Sequence, residues 1–129
     1  MKLTKQRLDL MMEDIVDELG FGHRENIYQN ALRIELEETK FYDVEKEVTK
    51  EIFYKGQNLG NVRIDLLVDE CCIIEMKTLR KVTDKERNQV ERYLRVFNLP
   101  KGFLINISLY DFEIFEIDNN SYKFDPVSD

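Results

Sequence analysis

The sequence predicts an α/β fold, a mixed β-sheet flanked by helices in the order α-α-β-β-β-α-β-β. Three observations predict it. Residues 3–39 carry apolar side chains at helical spacing. Residues 42–78 switch to strand-like alternation, with turn residues between the runs. A capped helical segment and two further strands complete the pattern.

The first helix is expected over residues 3–19, with Leu8, Met11, Met12, Ile15 and Leu19 on one side. Gly20 and Gly22, flanking Phe21, end it. A second helix spans about 24–39, and Ile27, Ala31, Leu32, Ile34 and Leu36 form its apolar arc. Glu25 falls in its first turn, where a carboxylate complements the helix dipole. Tyr28 lies near the edge of the arc, and His23 reads as a solvated loop or cap residue.

Val44 to Tyr54 forms the first strand. A turn at 55–58 or 58–61 sends Asn61–Val68 back as its antiparallel partner. The third strand, 71–78, is apolar on both faces and suits a central, doubly covered position. Thr83 or Asp84 caps the helix DKERNQVERYLRVFN, whose core face is Val90, Leu94 and Phe97. Gln89 and Tyr93, four apart, run along the edge of that face. Pro100 and Gly102 stop the helix. Residues 102–108 form an internal strand and 112–117 an outer one. If the third and fourth strands are parallel, the connecting helix makes a right-handed crossover. The tail from Asp118 reads as frayed or loosely docked.

A length of 129 residues suits a single domain, 1–129, with one core. No apolar run approaches the roughly 20 residues of a membrane-spanning helix. The N-terminus mixes charge with apolar residues at helical spacing, unlike a signal or transit peptide, so the expected compartment is the cytoplasm. Cys71 and Cys72 are adjacent in a strand and point to opposite faces, so they read as small reduced core or turn residues. The net charge of −7 and a pI near 4.9 argue against a general nucleic-acid coat protein. They do not argue against a nuclease, because an acidic metal site is negative when empty. From Lys77 to Lys101, eight Lys and Arg face three Asp and Glu, a local excess of +5. Such a rim suits a phosphate backbone, and suits equally a solvated helix with i,i+4 pairs.

The stretch that organises the chain is VRIDLLVDECCIIEMK, residues 62–77. Charge interrupts both of its apolar strands. Asp65 stands between Ile64 and Leu66, and Glu75 and Lys77 share one face of the next strand. Ionised groups are rarely buried unless they are paired or bind metal. A divalent cation is therefore the natural partner, with a buried ion-pair cluster as the bland alternative. Magnesium prefers oxygen ligands, and a metal activates water and clamps phosphate. Lys77 can orient that water or stabilise developing charge, and Glu25 is the candidate third carboxylate. Arg63 either bridges to an outer acid or contacts phosphate.

The D-X9-E-X-K pattern of Asp65, Glu75 and Lys77 resembles the PD-(D/E)XK nuclease superfamily. Gly22 to Tyr28 matches G-x-x-E-x-x-Y, and Arg63 to Val68 resembles the R-x-D-L-L-V strand of the GxxExxY branch. Gln89 to Leu94 resembles its Q-x-x-x-Y-L helix, and Gly102 to Asn106 its G-x-L-I-N strand. The match covers roughly residues 10–110, and five motifs in order are far more specific than the D…ExK pattern alone. The superfamily's proline is absent, with Ile64 in its place.

The resemblance implies a restriction-endonuclease-like core, a mixed four-stranded sheet flanked by helices. It implies Mg²⁺ or Mn²⁺ held by Asp65, Glu75 and the carbonyl of Met76, with Glu25 assisting. The catalytic set it implies is Glu25, Asp65, Glu75, Lys77, Gln89 and Tyr93, with Lys77 the catalytic lysine. The implied substrate is nucleic acid, DNA in the first reading, with no membrane partner. A homodimer is a further expectation, since a second copy would enlarge a small footprint. The rival expectation is a catalytically silent module that binds nucleic acid or protein.

Overall fold

The computed structural model describes residues 1–123. Its elements run α1 (Lys5–Leu19), α2 (Glu25–Glu38), β1 (Val44–Tyr54), β2 (Gln57–Val68), β3 (Cys72–Lys77), α3 (Asp84–Phe97), β4 (Lys101–Ile107) and β5 (Phe112–Asp118). The strands form one five-stranded sheet in the order β1-β2-β3-β4-β5. That is one strand more than the four-stranded core the resemblance implies. All neighbours are antiparallel except β3 and β4, which are parallel and joined through α3. The mixed sheet flanked by helices is the predicted restriction-endonuclease-like class.

Helix α1 starts where the Thr4 hydroxyl accepts the Arg7 N–H at 3.2 Å. It stops at Gly20, whose φ of 78° suits glycine. Its buried stripe is Leu8, Met12 and Ile15, while Leu19 stays exposed. Helix α2 departs further from expectation. Its buried stripe is Tyr28, Leu32 and Leu36, spaced by four, and Ile27 and Ile34 face solvent.

The β1–β2 hairpin turns at Lys55 and Gly56, whose φ values of 49° and 78° are both left-handed, as a two-residue hairpin turn demands. The later of the two expected turns therefore does not form, and β2 begins at Gln57 rather than Asn61. A register shift at Ile52/Phe53 falls opposite Gly60 instead. Strand β3 is buried along its length at the centre of the sheet, as its apolar faces predict.

Helix α3 opens with a reciprocal capping box between Thr83 and Glu86. Asn98, in the left-handed region at φ 51°, ends it before Pro100 is reached. Gly102 plays a different part from the expected stop. It lies in β4, and a Cβ there would sit 3.0 Å from Val90 Cγ1 and 3.3 Å from the Ile73 carbonyl. The absent side chain lets α3 settle onto the sheet.

The core splits across the two faces of the sheet. Leu66, Val68, Ile74, Met76, Phe103 and Ile105 pack with α1 and α2. Ile64, Leu67, Ile73 and Leu104 pack with Val90 and Leu94 of α3. Ile64 and Leu66, two apart, thus fall on different sides, so the alternation of β2 breaks at Asp65. Asn119, in the tail, is buried and donates to the carbonyls of Leu94 (3.3 Å) and Leu99 (3.0 Å). Of the two expectations for the tail, docking rather than fraying holds at Asn119, and residues 124–129 lie outside the described residues.

Candidate active site

The β2–β3 ladder pairs Val68 with Cys72, Leu67 with Ile73 and Leu66 with Ile74. One residue further on, side chains take over from the ladder. The Asp65 N–H donates to Glu75 Oε2 at 2.6 Å, and the Met76 N–H donates to Asp65 Oδ2 at 2.7 Å. Each carboxylate grips the backbone of the opposite strand. The two acids are thereby fixed beside one another by charge-assisted bonds. Among the described residues, no hydrogen bond engages the other oxygens, Asp65 Oδ1 and Glu75 Oε1.

The electrostatics of this pair are costly. Glu75 is only 4% exposed. Burial, and then the Asp65 charge, push its carboxyl up to about 8. Burial also raises Asp65, offset in part by the Met76 N–H, and Glu25 raises it further. Lys77 lowers both. Yet among the described residues Lys77 Nζ has no carboxylate oxygen within 4.0 Å. The ion-pair alternative, in which Lys77 directly neutralises one acid, is not what the side chains form.

An oxygen-only donor pair with negative charge in excess and one oxygen of each acid unbonded fits a hard divalent cation. The fit is to an open site. Among the described residues, no group of three or more His, Cys, Asp or Glu side chains stands ready to enclose a metal. Magnesium, which keeps several waters, needs only one or two protein carboxylates. Met76 meets Asp65 through its main chain, while its side chain is buried on the α1–α2 side.

Beside this pair is a cleft of about 310 Å³ that Glu25, Lys77 and Gln89 line together, with Lys85 and Arg92 at its edge. Three of the expected site residues, from α2, β3 and α3, therefore meet in one place. Tyr93 does not join them. It packs against the apolar cluster of Ile64, Val90 and Leu104. One helical turn beyond Gln89 brings it onto the core rather than into the cleft. Arg63 pairs with Glu47 at 3.4 Å, the salt bridge to an outer acid that was one of its two expected roles.

Glu25 owes its place to the preceding loop. The buried Tyr28 hydroxyl donates to the Gly20 carbonyl at 2.7 Å and accepts the His23 N–H at 3.2 Å. His23 Nε2 lies 2.8 Å from the Leu19 carbonyl, the cap role expected of it. Glycine, glutamate and tyrosine of the first motif thus belong to one device: the tyrosine ties down the loop that delivers the glutamate.

Sequence reasoning missed two supports, Gln29 and Asn106, and placed Lys85 and Arg92 only within a diffuse basic rim. Lys85 and Arg92 line the cleft, but exposed cations on a helix look like a solvated face. Gln29, buried in α2, donates to the Asp65 carbonyl at 3.3 Å. Asn106 holds Leu79 at both ends, accepting its N–H at 2.8 Å and donating to its carbonyl at 2.9 Å. It thereby anchors the segment leaving Lys77. A buried amide in the apolar run GFLINIS was the available signal.

A charged, clamped strand end on a mixed sheet with helices on both faces defines the restriction-endonuclease-like α/β class. A sequence model of the PD-(D/E)XK nuclease superfamily matches residues 2–115, and the chain belongs to that superfamily. The superfamily is one of nucleases, acting on nucleic acid and typically using divalent metals. Among solved structures, the crystal structure of SSO0001 matches at 26% identity with a TM-score of 0.57. The match covers 72% of this chain but only 48% of that one, so the chain spans about half of the neighbour's length. No curated protein matches. Among the described residues, no helix is long and apolar enough to cross a membrane.

Proposed function

We propose that residues 1–129 act as one nuclease domain of the GxxExxY branch, hydrolysing phosphodiester bonds of DNA with Mg²⁺ or Mn²⁺. The observation that carries this reading is the crossed clamp, in which Asp65 and Glu75 each fix one oxygen on the opposing strand and present the other. Asp65, Glu75 and the Met76 carbonyl would hold the cation, with Glu25 assisting. When bound, it lowers the pKa of a water and offsets charge on the phosphate.

The remaining work belongs to the chain. Lys77, held near the pair without an ion-pair partner among the described residues, is able to orient the attacking water and donate to the phosphate. Gln89 shares the cleft and positions that water or the leaving oxygen by its amide. Lys85 and Arg92 receive flanking phosphates. Tyr93 supports α3 from beneath. The protein works in the cytoplasm, and a second copy extends its footprint on DNA. Light scattering tests the dimer.

The deciding experiment is a panel of plasmid, linear, single-stranded and branched DNA with Mg²⁺ or Mn²⁺. Cleavage is expected in the parent protein and not in Glu75→Ala. Equal cleavage by Lys77→Ala would remove Lys77 from the mechanism. A second reading, a silent module with the same fold, is favoured by the lack of a three-residue metal cage among the described residues. Calorimetry separates the two: Mg²⁺ or Mn²⁺ binding that Asp65→Asn abolishes supports the nuclease, and no metal binding supports the module.

A further inference from the structure

A cleft larger than the one that Gln89 lines opens next to it. It encloses about 770 Å³ between the loop before Glu25, the segment after Lys77 and the β4–β5 turn. Gly22 and His23 form one wall, Thr78 to Arg80 the floor, and Ile107 to Tyr110 the other wall. Leu79 lines both clefts, so the two spaces adjoin. Its volume falls in the range of about 300–1,000 Å³ typical of ligand sites.

Two features of the outer wall are unexplained by folding. Leu109 is 66% exposed and Tyr110 88% exposed. The turn that carries them is firmly made. The Ser108 N–H and hydroxyl both bond the Asp111 carbonyl, at 2.9 and 3.1 Å, and the Asp111 N–H returns to the Ser108 hydroxyl at 3.2 Å. The Asp111 carboxylate then accepts the Phe112 N–H at 2.8 Å. A turn so tied presents its aromatic ring outward at small entropic cost. Across the floor, Arg80 and its neighbour Lys81 are exposed and, among the described residues, lack a carboxylate partner.

An aromatic platform, apolar walls and unpaired cations next to a candidate phosphodiester site match one ligand chemistry. A duplex hides its base faces and offers phosphates and groove edges, and this chain at −7 is poorly charged to hold a long phosphate track. An unpaired strand offers both a phosphate and a bare π-face, and base–aromatic stacking does not depend on net charge. We propose that this cleft seats an unpaired nucleotide of a DNA strand beside the scissile phosphate, its base on Tyr110 and its phosphate against Arg80. The inference rests on the nuclease reading and deepens it: the substrate is single-stranded at the cut or ends in an unpaired tail.

The test is binding without cleavage. The full chain, in EDTA, is titrated into a fluorescent oligothymidylate and into a blunt duplex, followed by anisotropy. The parent is expected to prefer the single strand. Tyr110→Ala is expected to weaken that binding about tenfold and to change duplex binding less than twofold, while Tyr110→Phe keeps it. Arg80→Ala is expected to weaken binding and flatten its salt dependence. Tyr110→Ala binding the single strand as tightly as the parent overturns the proposal, as does a parent that prefers the duplex. A Tyr110→Ala protein that changes from dimer to monomer in light scattering, with unchanged oligonucleotide affinity, also overturns it in favour of a second copy. Metal-dependent cleavage that persists beside any of these outcomes leaves the nuclease reading standing. Single-strand binding without cleavage by the parent would sink that reading alone.

Discussion

Between Leu66–Val68 and Cys72–Ile74, strands β2 and β3 are joined by an ordinary antiparallel ladder, and the side chains there are apolar and buried. One residue further, at Asp65 and Glu75, the same strands are joined through carboxylates. The first region closes on itself. Its burial supplies its stability, and nothing is left over for a ligand. The second is held in shape by the first and carries charge that folding alone does not compensate. The difference separates residues that make the fold from residues that the fold makes available.

The sharpest way to break that contrast is to substitute one residue from each region. Glu75→Gln keeps an acceptor for the Asp65 N–H but removes the charge. Cleavage is expected to fall by about a thousandfold or more, several kcal/mol of lost stabilisation of the reacting phosphate. The metal-free fold is expected to gain stability at neutral pH, since no buried carboxyl then has to take up a proton on folding. Ile74→Ala, in the paired region and fully buried, is expected to lose about 2–5 kcal/mol of stability. Its remaining folded fraction is expected to cut DNA at the parent rate. Urea denaturation and cleavage assays on both variants check the contrast. A destabilised Glu75→Gln would show that the carboxylates belong to the scaffold after all.

A pH series sharpens the same point. The folded carboxyl of Glu75 sits at about 8, above its ordinary value of 4.5, so the folded state binds this proton more tightly than the unfolded one. Its contribution to stability is fully present below about 4.5 and lost as pH rises through about 8. Asp65 shifts in the same direction. Metal-free protein is therefore expected to melt lower at pH 8.5 than at pH 6 on account of this pair. Differential scanning calorimetry in EDTA measures the slope, and Glu75→Gln is expected to flatten it. An unchanged slope in that variant would place the effect elsewhere.

The contrast also explains what the sequence made legible. Charge inside an apolar run is visible whatever the register, so Asp65, Glu75 and Lys77 stood out even though the alternation of β2 breaks at Asp65. The grip of each acid on the opposite backbone did not stand out. It depends on the register of β2 against β3, with Val68 opposite Cys72 across a turn whose Asp69 and Glu70 both adopt left-handed φ, 53° and 54°. Helix faces were harder to read than strands. Ile27 and Ile34 belong to the apolar arc of α2 by composition, but the buried stripe runs through Tyr28, Leu32 and Leu36 and leaves them in solvent. Tyr93 follows Gln89 by one helical turn, yet it packs against the apolar cluster under α3 while Gln89 lines the cleft. Lys85 and Arg92 stood out only as members of a basic rim, because an exposed cation takes its meaning from the cleft it borders.

The smallest expected effect lies at the junction of the two regions. Tyr28 is a core residue by its ring and a site residue by its hydroxyl, which ties the loop ahead of Glu25. Tyr28→Phe keeps the ring's packing and leaves the Gly20 carbonyl and the His23 N–H without this partner. A stability loss of about 1–2 kcal/mol is expected by chemical denaturation. Ile27→Ala, on the exposed side of the same helix, is expected to stay within about 0.5 kcal/mol. Cleavage by Tyr28→Phe should fall further than its stability loss accounts for, since the loop positions Glu25 for the charged region. If activity instead tracks folded fraction alone, the hydroxyl serves only the scaffold, and the line between the two regions runs between Tyr28 and Glu25 rather than through Tyr28 itself.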